Sequence, residues 1–453
     1  MATTALHLND ARCLAAEDGD RTQAAPAFAY LSESGLVVGQ TAFAESRRHP
    51  RSVKNRFIYK LTTEPLRDQR FSHLTPADLA ATLLEDLLRP FGAQPVVFVV
   101  PGYFDKAALG VLLGIAGALQ IRVAGLVDAA VATSRRRFEG AALVNLELGL
   151  HGAVLTLIEQ GQELSVARHV VLDDCGLEAL RQRWLEAIAS QFVEQSRFDP
   201  LHSADIEQLM LDRLNSWLID VRRGNPIDAS IEYGGLEHKA TIDTLLLPEA
   251  ASAVYQQIAD ALRALASSGG PIALQLDANA DSLPGLSDYL KSRSAADVFV
   301  VEADSAARGA LARLTSIQAQ GERRLVRSLP ADQAAVSLQS AASDEAVTDA
   351  PTHVLFDSVA MELNGEALMI GTGALQSARR ITLPDGLAGV SQQHCSLHRD
   401  AGGCVLADHS RYGTYLNGNR VNGSTLLRTG DVIRVGTPGV ELALIQVVTD
   451  HGT

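Results

Sequence analysis

Between about Ser328 and Pro351 the sequence becomes small, polar and acidic, SLPADQAAVSLQSAASDEAVTDAP, and the chain on either side of it follows different hydrophobic periods. A stretch of this composition buries little apolar surface and reads as a tether. Upstream, strand-like runs at Val96–Val100, Ala141–Glu159, PIALQL and DVFVVEA alternate with helical patterns at Pro76–Leu88 and Leu177–Glu194, which is an α/β texture. Downstream, short runs (HVLFDSVAMEL, EALMIG, RITL, HCSLHR, GCVLAD, TYLNG, DVIRVG, VELALIQVV) are separated by Gly, Asp and Asn at near-regular spacing, the pattern of a β-sandwich. The expected organisation is an α/β domain over 1–327, a tether over 328–350 and an all-β domain over 351–449. No short-period repeat is visible.

Composition narrows the function. The 39 basic and 53 acidic residues give a net charge of -14, which argues against broad binding to nucleic acid or an anionic membrane, though a local basic pocket stays open. With 47% hydrophobic and 20% charged residues, the chain is neither a disordered polymer nor a disulfide scaffold. The longest apolar stretch, Ala107–Ile121, falls short of the roughly 20 residues of a membrane span and reads as a core helix without membrane insertion. Cys13, Cys175, Cys395 and Cys404 show neither C-x-x-C pairing nor zinc-ligand spacing, so thiols in a reducing compartment and no metal site are expected. The first twenty residues lack a secretory pattern, and a cytoplasmic protein is expected. P-loop, nucleophile-elbow and zincin motifs are absent, and His151 and His169 read as packed or surface residues.

Three segments in the last quarter carry a specific pattern: Val390 to Leu397 (VSQQHCSL), Asp408 to Gly418 (DHSRYGTYLNG) and Leu427 to Gly436 (LRTGDVIRVG). Together they resemble a forkhead-associated (FHA) domain over roughly Thr352 to Val448. The resemblance implies a sandwich that captures phosphothreonine peptides with loops at one end, using donors that match a doubly charged phosphate. It implies that Ser391 offers its hydroxyl to the phosphate with Gln392 beside it, that Arg411 and Tyr412 supply further contacts, and that Asn417 holds the peptide backbone. His394, Asp408, Gly413 and Gly418 are expected to be structural. The family's Gly-Arg pair is replaced by Gly371-Thr372, which removes a charge-assisted hydrogen bond and weakens binding by about 10- to 100-fold unless Arg379, Arg380 or Arg411 compensates; the alternative is a sandwich that keeps the fold and binds an unphosphorylated or acidic surface.

The upstream part carries landmarks in order: Val37 to Ala42, Pro50 to Lys54, Val97 to Asp105 followed by the long apolar helix, Val123 to Ala132, Leu283 to Leu286 and Val300 to Ala310. Their order resembles the DnaK class of heat-shock chaperone, which implies a two-lobed, actin-like ATPase fold. In that fold two glycine-rich turns and Asp carboxylates hold phosphates and Mg²⁺, and a Gly-Gly turn lies on the adenosine. Here the first turn reads His7-Leu8-Asn9-Asp10-Ala11, so a metal-facing acid and a glycine are replaced, by His7 and Asn9. The second turn keeps only Glu147 and Gly149, and Ala278-Asn279 stands in place of Gly-Gly. Val127 aligns with another acid of the family, Asp128 lies one residue away, and Lys54 is read as a surface charge.

These features predict a non-enzymatic signalling or scaffold protein: a degenerate ATPase platform joined to a head that recognises a protein partner phosphorylated on threonine by a serine/threonine kinase, with no ATP or Mg²⁺ required. The alternative is an ATP-binding, chaperone-like or actin-like ATPase regulated by its head, in which Asp10 or Asp128 supplies a displaced carboxylate. A third reading is an assembly subunit whose lobes oligomerise without ligand.

Overall fold

The first part of the chain is built twice on one plan. Strands β1 (Thr4–His7), β2 (Cys13–Ala16) and β3 (Thr22–Ala25) form an antiparallel meander, after which β4 (Val96–Val100) adds parallel to β1 and β5 (Val123–Asp128) parallel to β4. The same sequence of moves recurs with β6 (Ala142–Leu148), β7 (Gly152–Gln160) and β8 (Leu164–Asp173), followed by β9 (Ile272–Asp277) parallel to β6 and β10 (Ala296–Val301) parallel to β9. Two short late strands, β11 (Leu325–Val326) and β12 (Ser328–Leu329), complete a pair of six-stranded sheets, ordered β11-β5-β4-β1-β2-β3 and β10-β9-β6-β7-β8-β12. Each sheet is the centre of one lobe.

The computed structural model describes residues 2–337 except 20, 33–34, 267–269, 295 and 322, and residues 351–446 except 357–358, 374–378, 385–388, 401–402, 412, 417–418, 422, 428, 430 and 437–439. The chain divides into two units, Met1–Val336 and Ser337–Thr453.

Local sequence explains the elements. Every residue of β4 is buried, as expected for a parallel strand covered on both faces. Helix α1 (Pro76–Leu88) begins with a capping box between Thr75 and Asp78, has Pro76 at its first turn, and buries Leu79, Leu83, Leu84 and Leu87 along one face. Helix α2 (Lys106–Ala118) is capped by the Asp105 carboxylate, and α3 (Ala129–Thr133) by Asp128. The second lobe is roofed by α4 (Leu177–Ser196), α5 (Ala204–Arg222) and α6 (Leu246–Leu265), with Trp184 of α4 fully buried and donating its indole N–H to the Leu247 carbonyl at 2.9 Å. After β9 the chain enters α7 (Ala278–Asp281), and after β10 it enters α8 (Ser305–Ala312).

Three sequence readings change. The run Ala141–Glu159 is not one strand but the hairpin β6–β7, which turns at Gly149–His151, so His151 lies in a buried turn. The apolar stretch at Ala107–Ile121 is a half-exposed covering helix and not a core helix: only Leu112, Ile115 and Ala116 are buried, while Ala107, Gly110, Gly114 and Gly117 face outward. Small residues there raise the hydropathy without adding bulk to bury. The polar stretch expected to be tether from Ser328 still belongs to the first unit as far as Val336. There Ser328–Leu329 pairs with Leu164–Ser165, Asp332 pairs with Arg135, and the Pro330 carbonyl accepts from Arg313 Nη1 at 3.4 Å. An edge strand needs only its backbone to pair, so composition hides it. Residues 338–350 of the expected tether lie outside the described residues.

In the second unit, the strands β13 (His353–Phe356), β14 (Val359–Glu362), β15 (Leu368–Gly371), β16 (Arg380–Thr382), β17 (Cys395–Asp400), β18 (Gly403–Asp408), β19 (Thr414–Leu416), β20 (Asn419–Arg420), β21 (Ser424–Leu427), β22 (Val432–Val435) and β23 (Val440–Ile445) form two sheets, ordered β14-β13-β23-β22-β19-β20 and β16-β15-β17-β18-β21. Alternate residues fill the core, among them Leu368, Ile370, Cys395, Leu397, Cys404, Leu406, Ile433 and Val435. The run HVLFDSVAMEL is the hairpin β13–β14, and β21 was not anticipated. All four cysteines are buried, and none forms a disulfide.

Gly309 on α8 lies so close to α3 that a Cβ there would strike the Ala132 carbonyl oxygen, whereas a Cβ on Gly110 of α2 would meet nothing within 4 Å. Gly309→Ala is therefore expected to lower the stability of the chain by about 1–3 kcal/mol, and Gly110→Ala to raise it by about 0.5–1 kcal/mol. Urea unfolding of the two variants checks both signs.

Candidate functional site

At one end of the sandwich the loops are held by His394, which is fully buried. Its Nδ1 accepts from the Ser391 N–H at 3.1 Å and its Nε2–H donates to the Gly413 carbonyl at 3.2 Å, which sets the tautomer and joins two loops. Burial holds this imidazole below its ordinary pKa, so it stays a neutral brace. The Ser391 hydroxyl is half-buried and accepts from the Arg411 N–H at 3.3 Å, while the Arg411 side chain is exposed. Asp408 accepts from the Ser410 N–H at 3.0 Å and the Thr414 hydroxyl at 2.7 Å, and Ser410 Oγ accepts from the Gly413 N–H at 2.7 Å, so the loop that carries Arg411 is rigid. Gly413 has φ +101° and packs under Arg420, whose Nε would be 2.6 Å from an added Cβ.

Thr372 lies beside this cluster, its N–H donating to the Ser391 carbonyl at 3.3 Å, and Gly371 is required because a Cβ there would strike the Gln392 carbonyl oxygen. The two arginines considered as substitutes diverge. Arg380 donates from Nη2 to the Gln392 carbonyl at 2.7 Å, one residue from Ser391, and its Nε is buried without a hydrogen-bond partner among the described residues. Arg379 turns to Asn364 and the carbonyls of Glu362 and Glu366 instead. Gln392 is exposed; Tyr412 and Asn417 lie outside the described residues. Arg420, which the sequence reading did not single out, lies opposite Tyr415 and is exposed beside Gly413.

In the first unit the turn after β1 and the turn after β6 are locked together. Asp10, fully buried, accepts from the backbone N–H groups of Leu150 at 2.7 Å and His151 at 3.2 Å, and its Oδ1 lies where a Cβ on Gly149 would be only 2.5 Å away. His7 Nε2 is 2.8 Å from Glu147 Oε1, and the Asn9 amide donates to the same oxygen and to the Leu148 carbonyl, each at 3.2 Å. Leu150 packs with Phe28 and Ala42. Further out, Arg47 reaches Glu178 at 3.1 Å and Glu207 at 3.3 Å, and Arg48 reaches Asp205 at 2.8 Å, tying the first lobe to α4 and α5. Asp128 is spent on its cap to the Ala130 N–H at 3.0 Å and on His169 Nε2, also at 3.0 Å. Lys54 donates to the Arg51 carbonyl at 2.6 Å, away from these turns. Ala278 and Asn279 open α7, with Asp277 accepting from the Asn279 N–H at 2.7 Å. A cavity of about 690 Å³ remains beside the turns, lined by Asn9 and Asn279.

These residues do not fit a Mg²⁺-bound triphosphate. The amides that the chaperone resemblance would assign to a phosphate, those of Leu150 and His151, already serve Asp10, and His7, where that resemblance would have a metal-facing acid, is paired with Glu147. Among the described residues no group of three or more His, Cys, Asp or Glu is placed to hold a metal, and no helix is long and apolar enough to cross a membrane.

Residues 369–436 match the family model of the FHA domain. The second unit therefore carries an FHA domain, an interaction module of the kind that recognises phosphorylated motifs. No curated protein matches the chain.

Burial pushes the Asp10 carboxyl up to about 7, against the lowering effect of the Leu150 and His151 amides. A folded-state value above the unfolded one means that the folded chain holds this proton more tightly. The group's contribution is therefore full below about pH 4 and is lost as pH rises through about 7. The stability advantage of the native chain over Asp10→Ala, measured by urea unfolding, should shrink between pH 5 and pH 7 by up to about 1.4 kcal/mol per pH unit and level off above pH 8. An advantage that grows with pH would contradict this assignment.

Proposed function

We propose that the protein is a non-enzymatic signalling or scaffold protein, in which the FHA domain captures partner proteins phosphorylated on threonine and the first unit is a DnaK-like, actin-like pseudo-ATPase platform. The observation that carries the recognition half is the braced cluster in which Ser391, the Arg411 backbone and Arg380 come together beside Thr372. A phosphate needs hydroxyl and guanidinium donors on rigid supports, and Arg380 stands in for the arginine missing at Thr372. The platform half is supported by the repeated strand order of the two lobes, and its lack of hydrolysis by the Asp10 carboxylate on the turn amides. On this reading the platform needs no nucleotide or metal. Four buried cysteines without a disulfide are consistent with a cytoplasmic setting.

The full chain should bind a degenerate phosphothreonine peptide library and not its unphosphorylated counterpart, with Ser391→Ala and Arg380→Ala each weakening capture by about 10- to 100-fold. Equal binding of the two libraries would overturn the phosphate reading. Millimolar Mg-ATP should leave the melting temperature of the chain unchanged, because a ligand that binds the folded state must raise it.

A further inference from the structure

We propose that the cleft of the first unit binds a small ligand made of one anionic group, held between Arg12 and Arg181, and an apolar or aromatic body lodged against Phe43 and Trp184. This goes beyond the platform reading, which assigns the cleft no ligand. The cavity of about 690 Å³ adjoins a second of about 240 Å³, and the two share Arg12, Gln40, Phe43 and Arg181 in their walls. The larger cavity is of the size that holds a drug-sized molecule.

The charges at that junction are unbalanced. Arg181 stacks with its guanidinium carbon 5.1 Å from the centre of the Phe43 ring, and its Nη1 is buried without a hydrogen-bond partner among the described residues. The nearest carboxylate oxygen, Glu178 Oε2, is 3.9 Å from that nitrogen, and the other oxygen of Glu178 is committed to Arg47 at 3.1 Å. Among the described residues the Arg12 side chain has neither a hydrogen-bond nor an ion-pair partner. The acids that line the cleft, Asp212 and Asp277, border only the larger cavity, and both are engaged: Asp212 accepts from Gln208 at 2.9 Å, and Asp277 from the Asn279 and Ala280 amides at 2.7 and 3.0 Å. A guanidinium withdrawn from water without a full partner is costly, and an incoming anion offsets that cost. A single anionic group suffices, because Asp10 already occupies the amides a polyphosphate would need.

Two dyes with one ring system separate the charge from the apolar body: 8-anilinonaphthalene-1-sulfonate and the neutral N-phenyl-1-naphthylamine. Trp184 borders the cavity and is one of only two tryptophans, so energy transfer from tryptophan reports occupancy. The folded full chain should take up a single equivalent of the sulfonate about tenfold or more tightly than the neutral dye. Arg12→Gln and Arg181→Gln should each bring the two dyes toward equal affinity. Arg12→Gln alters a partly exposed side chain and keeps the test decisive if Arg181→Gln fails to fold. Equal affinity of the two dyes, uptake of several equivalents, or variants that bind like the native chain would overturn the proposal. Displacement of the sulfonate by Mg-ATP would overturn it in favour of a nucleotide, and would separately sink the pseudo-ATPase reading; dye binding that fails while Mg-ATP has no effect leaves that reading standing.

Discussion

One buried carboxylate joins the two halves of the first unit. Asp10 leaves the turn after β1 and ends on the backbone N–H groups of Leu150 and His151, in the turn after β6. Two sheets that share a strand order but no strands are thereby joined through these turns. A buried amide without a partner costs about 1–3 kcal/mol, so the contact satisfies donors that would otherwise need an outside anion. The ion pairs of Arg47 and Arg48 with α4 and α5, and the packing of Leu150 on Phe28, hold the lobes in the same relation. The locking of these two turns needs no group from outside the chain.

The second unit shows the opposite economy. Its loops are braced from within by His394, Asp408 and Ser410, yet the Ser391 hydroxyl and the side chains of Arg411 and Arg420 are left accessible to solvent in whole or in part. Rigid support with outward donors is what recognition of a charged motif requires. This arrangement of outward donors is the physical support for the recognition role proposed for the second unit.

Much of the fold was legible wherever a local period sufficed. The continuous apolar run Val96–Val100 and the capped, i/i+4 pattern of Pro76–Leu88 announce a buried strand and an amphipathic helix without reference to the rest of the chain. The hairpin at Gly149–His151 was hidden because its turn lacks the Asn-Gly or Asp-Gly signal, and the edge pairing of Ser328–Leu329 because polar residues serve an edge as well as apolar ones. At the recognition end, the resemblance to an FHA domain pointed to Ser391 and Arg411, while the divergence of Arg379 from Arg380 depends on where a strand register puts two adjacent side chains. Asp10 was weighed as a metal-facing acid; its actual partners lie 140 and 141 residues away, beyond the reach of any local pattern.

The most direct test is hydrogen exchange at the backbone amides of Leu150 and His151 in the full chain, with and without millimolar Mg-ATP. If Asp10 occupies that turn, both amides are protected in the absence of any ligand and nucleotide leaves their exchange unchanged. Rapid exchange without ligand, together with protection gained on adding Mg-ATP, would contradict the account and make the first unit a nucleotide-binding ATPase domain.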